Sequence, residues 1–437
     1  MNIDQLIDTA NFGSGLAQAQ AHLDIWNLAQ KTNNIPCSIA PIYFARGQNK
    51  LAHNFTVPAF NLRGLTYQTA QQLFLTAQKL KVGIFVIELA RSEMQYTDQP
   101  PAVYVSNILA AAIKTNWQQP IFIQCDHFQV KNNGSDQIKD GEIDKLRSIV
   151  TEAINAGMYN IDLDGSMLIK QADNLLEQQL ENAKFVAHCA TCIRELQPAG
   201  ITISLGGEIG EIGSQHNSTI QDVQAFMDQF LNLFGQDYPG LSKLAVQTGT
   251  SHGGIVDEHG QIVKAQVAFE NIKQMSEFSR DKYGMAGVVQ HGASTLSKEE
   301  FAKFPYSQAI EIHLATGLQN LIFQHPAFPP ELLKKMYSWL DENLAAEKKP
   351  HQTNQQFYYK MLKNIWKPFK KELWQLPTKN LQPILLSLGE EFEFFFQALG
   401  VVDSQKIIQQ YIQPIKVKHQ LEDYSASVQD EADGLVD

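Results

Sequence analysis

Eight short runs rich in Val, Ile and Phe recur between residues 55 and 317, separated by segments long enough to be helices. They are Phe55 to Leu62, Gly83 to Leu89, Pro120 to His127, Met158 to Gly165, Ile201 to Glu208, Leu241 to Gly249, Gly284 to Gly292 and Ala309 to Gly317. Apolar runs of strand length alternating with helix-length text are the pattern of parallel strands joined by crossover helices. Eight such units predict an α/β protein built on a closed (β/α)8 barrel, the TIM barrel. An open doubly wound sheet would carry a G-x-G-x-x-G turn after its first strand, and Asn61-Leu62-Arg63-Gly64 has no such pattern.

The text on either side of this rhythm differs from it. Residues 1–50 read as an N-terminal helical segment, with apolar positions at helical spacing in LAQAQAHLDIWNLAQ, and are expected to cap the bottom of the 51–325 barrel. Residues 326–420 turn aromatic and Lys-rich (ELLKKMYSWLDENL, FYYKMLKNIWKPFKKELW, GEEFEFFFQALG), which predicts a C-terminal helical extension covering a barrel flank or a partner subunit. A homodimer or higher homo-oligomer is expected on that ground. Residues 421–437 are acidic and small and read as a flexible tail.

Composition narrows the function classes. A formal charge of −11, with 35 Lys and Arg dispersed over an acidic background, argues against nucleic acid as a partner. No apolar stretch is long enough to cross a bilayer, and MNIDQLIDTANFG lacks the basic and apolar regions of a secretion signal, so no membrane association and a cytoplasmic location are expected. Four cysteines are too few for a disulfide scaffold in a chain this large. Cys189-Ala-Thr-Cys192 has C-x-x-C spacing without a second pair, and NAKFVAHCATCIREL around it reads as an amphipathic helix that buries its thiols.

Four segments carry the chemistry: Cys125-Asp126-His127, Gly207-Glu208, Ser251-His252-Gly253 and His291-Gly292-Ala293-Ser294. Each closes a predicted strand, the third, fifth, sixth and seventh, at its C-terminal end. Barrel enzymes build their sites at that edge, so three imidazoles and a carboxylate are expected to converge there and to hold a Zn²⁺-like ion. Asp126 and His127 can both reach the mouth only if the backbone turns between them, because successive strand residues face opposite ways. Gly253, Gly254 and Gly292, with Ser251 and Ser294, either cradle a phosphate with backbone N–H groups and hydroxyls or simply permit tight βα turns.

In order and spacing, VPAFN at 57–61, DH at 126–127, NIDLDGS at 160–166, GGEIGEIG at 206–213, GTSHGG at 249–254 and HGAST at 291–295 resemble the class II metal-dependent ketose-bisphosphate aldolases, over roughly residues 55–320. The resemblance implies a (β/α)8 barrel that reversibly cleaves a ketose bisphosphate to dihydroxyacetone phosphate and an aldehyde. It implies that His127, His252 and His291 bind zinc, with Glu208 an additional or alternating ligand, and that Asp126 is the acid/base at the aldehyde oxygen. Gly253, Gly292, Ser294 and Thr316 then line the phosphate site, Asn61 and His313 contact substrate, and a monovalent cation assists.

Departures from the family pattern bear on the substrate. Where a glutamate base is expected on the loop after the fifth strand, Gly213-Ser-Gln-His-Asn217 offers His216, with Glu211 as a second candidate. His313 and Ala315 replace an Asn and an Asp that hold the substrate's hydroxylated carbons, and Gln124 replaces a histidine. Ala90 stands for a serine that contacts the distal phosphate, with Glu88 and Arg91 nearby. The expected partner is a phosphorylated sugar related to fructose or tagatose 1,6-bisphosphate, with an altered aldehyde half. The alternatives are a non-catalytic aldolase-like subunit and a metal-dependent sugar-phosphate epimerase or isomerase. Lys243 opens the sixth strand at the end away from the mouth, which disfavours a lysine-imine aldolase.

Overall fold

The computed structural model describes residues 2–130, 138, 141–170, 172–210, 217–250, 266–293 and 296–424, together with the backbone of 255–256 and 262–263. Its centre is a closed barrel of eight parallel strands: β1 Val57–Asn61, β2 Val86–Ala90, β3 Phe122–Gln129, β4 Asn160–Asp164, β5 Ser204–Glu208, β6 Lys243–Val246, β7 Val288–Gln290 and β8 Glu311–Leu314. Each lies within, or overlaps, one of the eight predicted runs. A short antiparallel pair, Ile255–Val256 with Ile262–Val263, stands outside the barrel between β6 and β7.

Strand alternation sorts the side chains. On β2, Ile87 and Leu89 join the apolar layer under the helices while Glu88 faces the lumen, and the register places Glu88 opposite Gln124 on β3. The same face carries Asp162 on β4, Lys243 on β6, and Glu311 and His313 on β8. Branched aliphatic residues usually fill a barrel of this kind; this lumen is polar, and its groups bond one another, while Glu88 Oε1 and Asp162 Oδ1 have no hydrogen-bond partner among the described residues. Lys243 Nζ donates to Gln124 Oε1 at 2.7 Å, to Asp162 Oδ2 at 2.8 Å and to Glu311 Oε1. Gln124 Nε2 donates to Glu88 and Glu311, each at 3.0 Å, and the Tyr43 hydroxyl donates to Glu311. Gly206 makes room for this crossing, since a Cβ there would lie 2.3 Å from Asp162 Oδ1.

The flanking segments have separate tasks. Helices Ile3–Phe12 and Gly15–Lys31 pack on the barrel's side against helix Pro101–Lys114. The chain that follows closes the N-terminal end. Cys37 N bonds Ile121 O at 2.8 Å, Ile39 N bonds Asn160 Oδ1 at 2.8 Å, and the buried Arg46 guanidinium donates to the carbonyls of Phe55 and Gln308.

Helix Thr378–Ala398 covers the flank at β1, with Phe392 and Phe396 edge-on to Phe60 at 5.0 and 5.7 Å. The segment before it bends over the C-terminal mouth instead. Trp366 is buried there, its Nε1 donating to Gln319 Oε1 at 3.0 Å, and it lies so close to Gly64 that a Cβ on that glycine would come within 2.0 Å of the indole. Of the acidic tail, Leu421–Tyr424 forms a 3-10 turn with Tyr424 buried; 425–437 lie outside the described residues. Cys189 and Cys192 sit on helix Leu175–Leu196 as free thiols. Among the described residues no helix is long and apolar enough to cross a membrane.

Candidate active site

β3 solves the problem its sequence poses. Its pairing with β4 shifts by one residue between Cys125 and Phe128, and His127 adopts φ 44°, in the left-handed region. This bulge turns the backbone at the strand's end, so Asp126 and His127 line the same cavity instead of facing opposite ways. A left-handed non-glycine residue costs about 1–3 kcal/mol and persists only where its surroundings hold it.

Those surroundings are explicit. His127 Nδ1 lies 2.9 Å from Asp164 Oδ2 and 3.1 Å from Glu208 Oε2. Its Nε2 faces His291 Nδ1 at 3.0 Å. Asp126 Oδ1 is 3.8 Å from His127 Nε2 and 3.2 Å from His313 Nδ1. His313 lies beneath His291, ring centroids 4.0 Å apart, and its nitrogens meet Glu88 at 3.0 Å and Glu311 at 2.8 Å.

Charge in this buried cluster is strongly perturbed. Burial opposes ionisation of Asp126, but the imidazoles of His127, His313 and His291 outweigh it and hold the carboxyl well below its ordinary range. Burial, reinforced by the Asp164 charge, pushes Glu208 up to about 8. Burial also works against a charge on His127, yet the carboxylates of Asp126 and Glu208 raise its pKa well above the usual histidine value. Deeper in, burial pushes Glu88 up to about 7 and Asp162 to about 6. Lys243 is raised despite burial, chiefly by Asp162 and Glu311, so its amine stays protonated and is no nucleophile. That adds a second reason to reject a lysine-imine aldolase.

The donor set suits a divalent metal ion. Ligand atoms of His127, Glu208 and His291 lie within 4.8 Å of one another. Two nitrogens on a tetrahedral zinc stand about 3.3 Å apart, given bond lengths of 2.0–2.1 Å, close to the 3.0 Å between these imidazoles. Asp164 meets the opposite ring nitrogen, as the carboxylate that fixes tautomer and ring orientation of a metal-bound histidine typically does, and Glu208 Oε2 approaches that same nitrogen at 3.1 Å. Asp126, His291 and His313 form a second such group, and Glu88, Glu311 and His313 a third.

The cluster opens into a cavity of about 800 Å³. Gly292, Thr316, His313 and Asn61 line it, and the Asn61 amide is engaged by Glu93 at 2.5 Å. His216, His252, Gly253 and Ser294, with Glu211, lie outside the described residues. Three features were missed by reading the sequence: Asp164, the Glu88–Glu311–Lys243 lumen network, and the roof formed by 349–363. The first two had a visible signal, acidic or basic residues at alternate positions within apolar strand runs.

Fold and cluster together define a (β/α)8 barrel with a candidate metal centre at its C-terminal mouth. The family model for class II fructose-bisphosphate aldolases matches residues 48–371, and the chain belongs to that family. No curated protein sequence matches it. Among solved structures, it is similar to a fructuronate-tagaturonate epimerase from Cohnella laeviribosi, at TM-score 0.60 and 10% identity, over 88% of this chain and 86% of the other. The YdjI aldolase from Escherichia coli K12 gives 0.49 and 15%, over 84% and 99%. Fructose-bisphosphate aldolase from Campylobacter jejuni gives 0.48 and 16%, over 83% and 94%.

Proposed function

We propose that the protein is a zinc-dependent aldolase that reversibly cleaves a phosphorylated ketose, related to fructose or tagatose 1,6-bisphosphate, into dihydroxyacetone phosphate and an aldehyde. The observation that carries this reading is the convergence of His127, His291 and Glu208 beside an ionised Asp126, inside a cavity large enough for an open-chain hexose bisphosphate. Zinc bound there would supply Lewis acidity toward the ketone and adjacent hydroxyl oxygens of the substrate.

The protein's own groups do the rest. Asp126, held as a carboxylate, accepts the proton of the hydroxyl whose carbon becomes the aldehyde. The C–C bond beside that carbon breaks, its electron pair stays with the ketone half, and a proton delivered there completes dihydroxyacetone phosphate. His216 is the candidate donor of that proton. Gly292 and Thr316 serve the phosphate of the ketone half.

The test is release of dihydroxyacetone phosphate from fructose and tagatose 1,6-bisphosphate by the purified chain, with and without a chelator. Chelator-sensitive release supports the aldolase. The activity named for the Cohnella structure gives a second reading, a ketose epimerase on the same barrel, which would exchange substrate protons with solvent and leave the C–C bond intact. A metal-loaded chain that does neither by itself fits an aldolase-like subunit.

A further inference from the structure

The extension's roof contributes cations to the cavity whose floor is the His127 cluster. Arg63, Lys349, Lys360 and Lys363 line it together with His127 and His291. Arg63 is paired with Glu93 at 2.7 Å. Glu93 is otherwise committed, accepting from Asn61 Nδ2, the Ala90 amide and the Tyr96 hydroxyl. Among the described residues, no carboxylate forms an ion pair with Lys349, Lys360 or Lys363. The ammonium groups of Lys349, Lys360 and Lys363 therefore have no ion-pair partner among the described residues, and the protein as a whole carries a formal charge of −11.

Lys363 and the segment that carries it are held in place by packing. Lys363 lies over the Tyr96 ring, 5.7 Å from its centroid, and precedes Trp366 by three residues. Trp366 anchors the segment through Gln319 and against Phe323, ring centroids 4.7 Å apart. Lys367 N bonds Tyr96 O at 3.1 Å, and Asn320 Nδ2 donates to the Tyr359 hydroxyl at 3.3 Å. Burial first, then the neighbouring charges of Arg63 and Lys360, lower the pKa of Lys363 against the opposing pull of Glu93.

We propose that Lys360 and Lys363, with Arg63 beside them, form an anion-binding wall that holds the charged far end of the substrate, a phosphate or a carboxylate, while its ketone end faces His127 and His291. The inference rests on the aldolase reading for the orientation of the ketone. It gives the C-terminal extension a place in the site.

The test is calorimetric titration of the zinc-loaded full-length chain with three probes: fructose 1,6-bisphosphate, D-fructuronate, and fructose 1-phosphate, whose far end is neutral. Each is compared with a Lys360→Met, Lys363→Met double variant and with Lys360→Arg, Lys363→Arg, which keeps the charge. The expected result is an affinity loss of about tenfold or more for a probe with a charged far end, a change within about twofold for fructose 1-phosphate, and recovery in the arginine pair. Loss confined to the bisphosphate assigns a phosphate; loss confined to fructuronate assigns a carboxylate. Equal losses for all three probes, no loss, or no wild-type binding of either charged-end probe would overturn the proposal. Dihydroxyacetone phosphate release, measured in parallel on the wild type, separates the two ideas. Its absence removes the aldolase reading and leaves the binding comparison intact, whereas turnover with unchanged binding in the methionine variant removes only the wall.

Discussion

Asp126 and His127 are consecutive on one strand yet line one cavity, because His127 takes φ 44° at a bulge where β3 slips by one residue against β4. The pair places an ionised carboxylate next to a metal-type imidazole, and Asp164 and Glu208 both meet that imidazole at Nδ1.

Metal content follows from this geometry. The wild type should carry about one tightly bound zinc per chain, and His127→Ala or His291→Ala should lose it, as read by elemental mass spectrometry. Asp164→Asn should keep the ligands and weaken metal affinity by about 10–100-fold, with turnover recovered by added zinc. An Asp164→Asn chain that holds zinc as tightly as wild type would deny the orienting role.

Glu208 sets a pH dependence in the metal-free chain. Its folded pKa of about 8 lies above the ordinary 4.5, so the folded state retains a proton that the unfolded state has released. Stability from this group is therefore fully present below about pH 4.5 and is lost as pH rises through about 8. Metal-free wild type should lose Tm relative to Glu208→Gln between pH 5 and 8, about the span between those two values, and zinc should restore it. Parallel Tm profiles for the two chains, measured by calorimetry, would contradict the assignment.

Lys243 is a structural cation within the barrel. Lys243→Met leaves Asp162 and Glu311 buried without their ammonium partner, and urea unfolding should show a loss of about 3–5 kcal/mol. Borohydride reduction in the presence of dihydroxyacetone phosphate should leave no covalent adduct on Lys243 of the wild type by mass spectrometry. An adduct there would reopen imine chemistry.

The seat of the extension can be probed at Gly64. A Cβ there would meet the Trp366 ring at 2.0 Å, so Gly64→Ala should lift the roof segment, exposing Trp366 to fluorescence quenchers and making the chain near 349–363 more sensitive to protease. Trp366→Ala removes the same anchor and should cost about 3–5 kcal/mol. Unchanged quenching and proteolysis in Gly64→Ala would mean that the segment is held elsewhere.

Much of the architecture was written in local pattern. Eight apolar runs at βα spacing specify eight parallel strands, since each run can bury its outer face only under the helix that follows. Candidate ligands could be found because they end those runs, and strand ends share one rim once the barrel closes. Asp126-His127, Glu208 and His291 were legible for that reason, whereas Asp164 was passed over although it alternates with Asp162 along an apolar run, because that alternation does not say which histidine it meets.

The sequence by itself determined the strand count, the barrel and the edge on which the chemistry sits, because hydrophobic periodicity is a property of neighbours along the chain. Only the tertiary structure decided which nitrogen of His127 meets Asp164 and which meets His291, how Lys243 crosses the lumen, and that lysines in helical text past residue 345 roof the cavity. Those relations join positions tens to hundreds of residues apart, and they come from register, a one-residue bulge and the packing of Trp366 on Gly64, none of which leaves a local periodic trace.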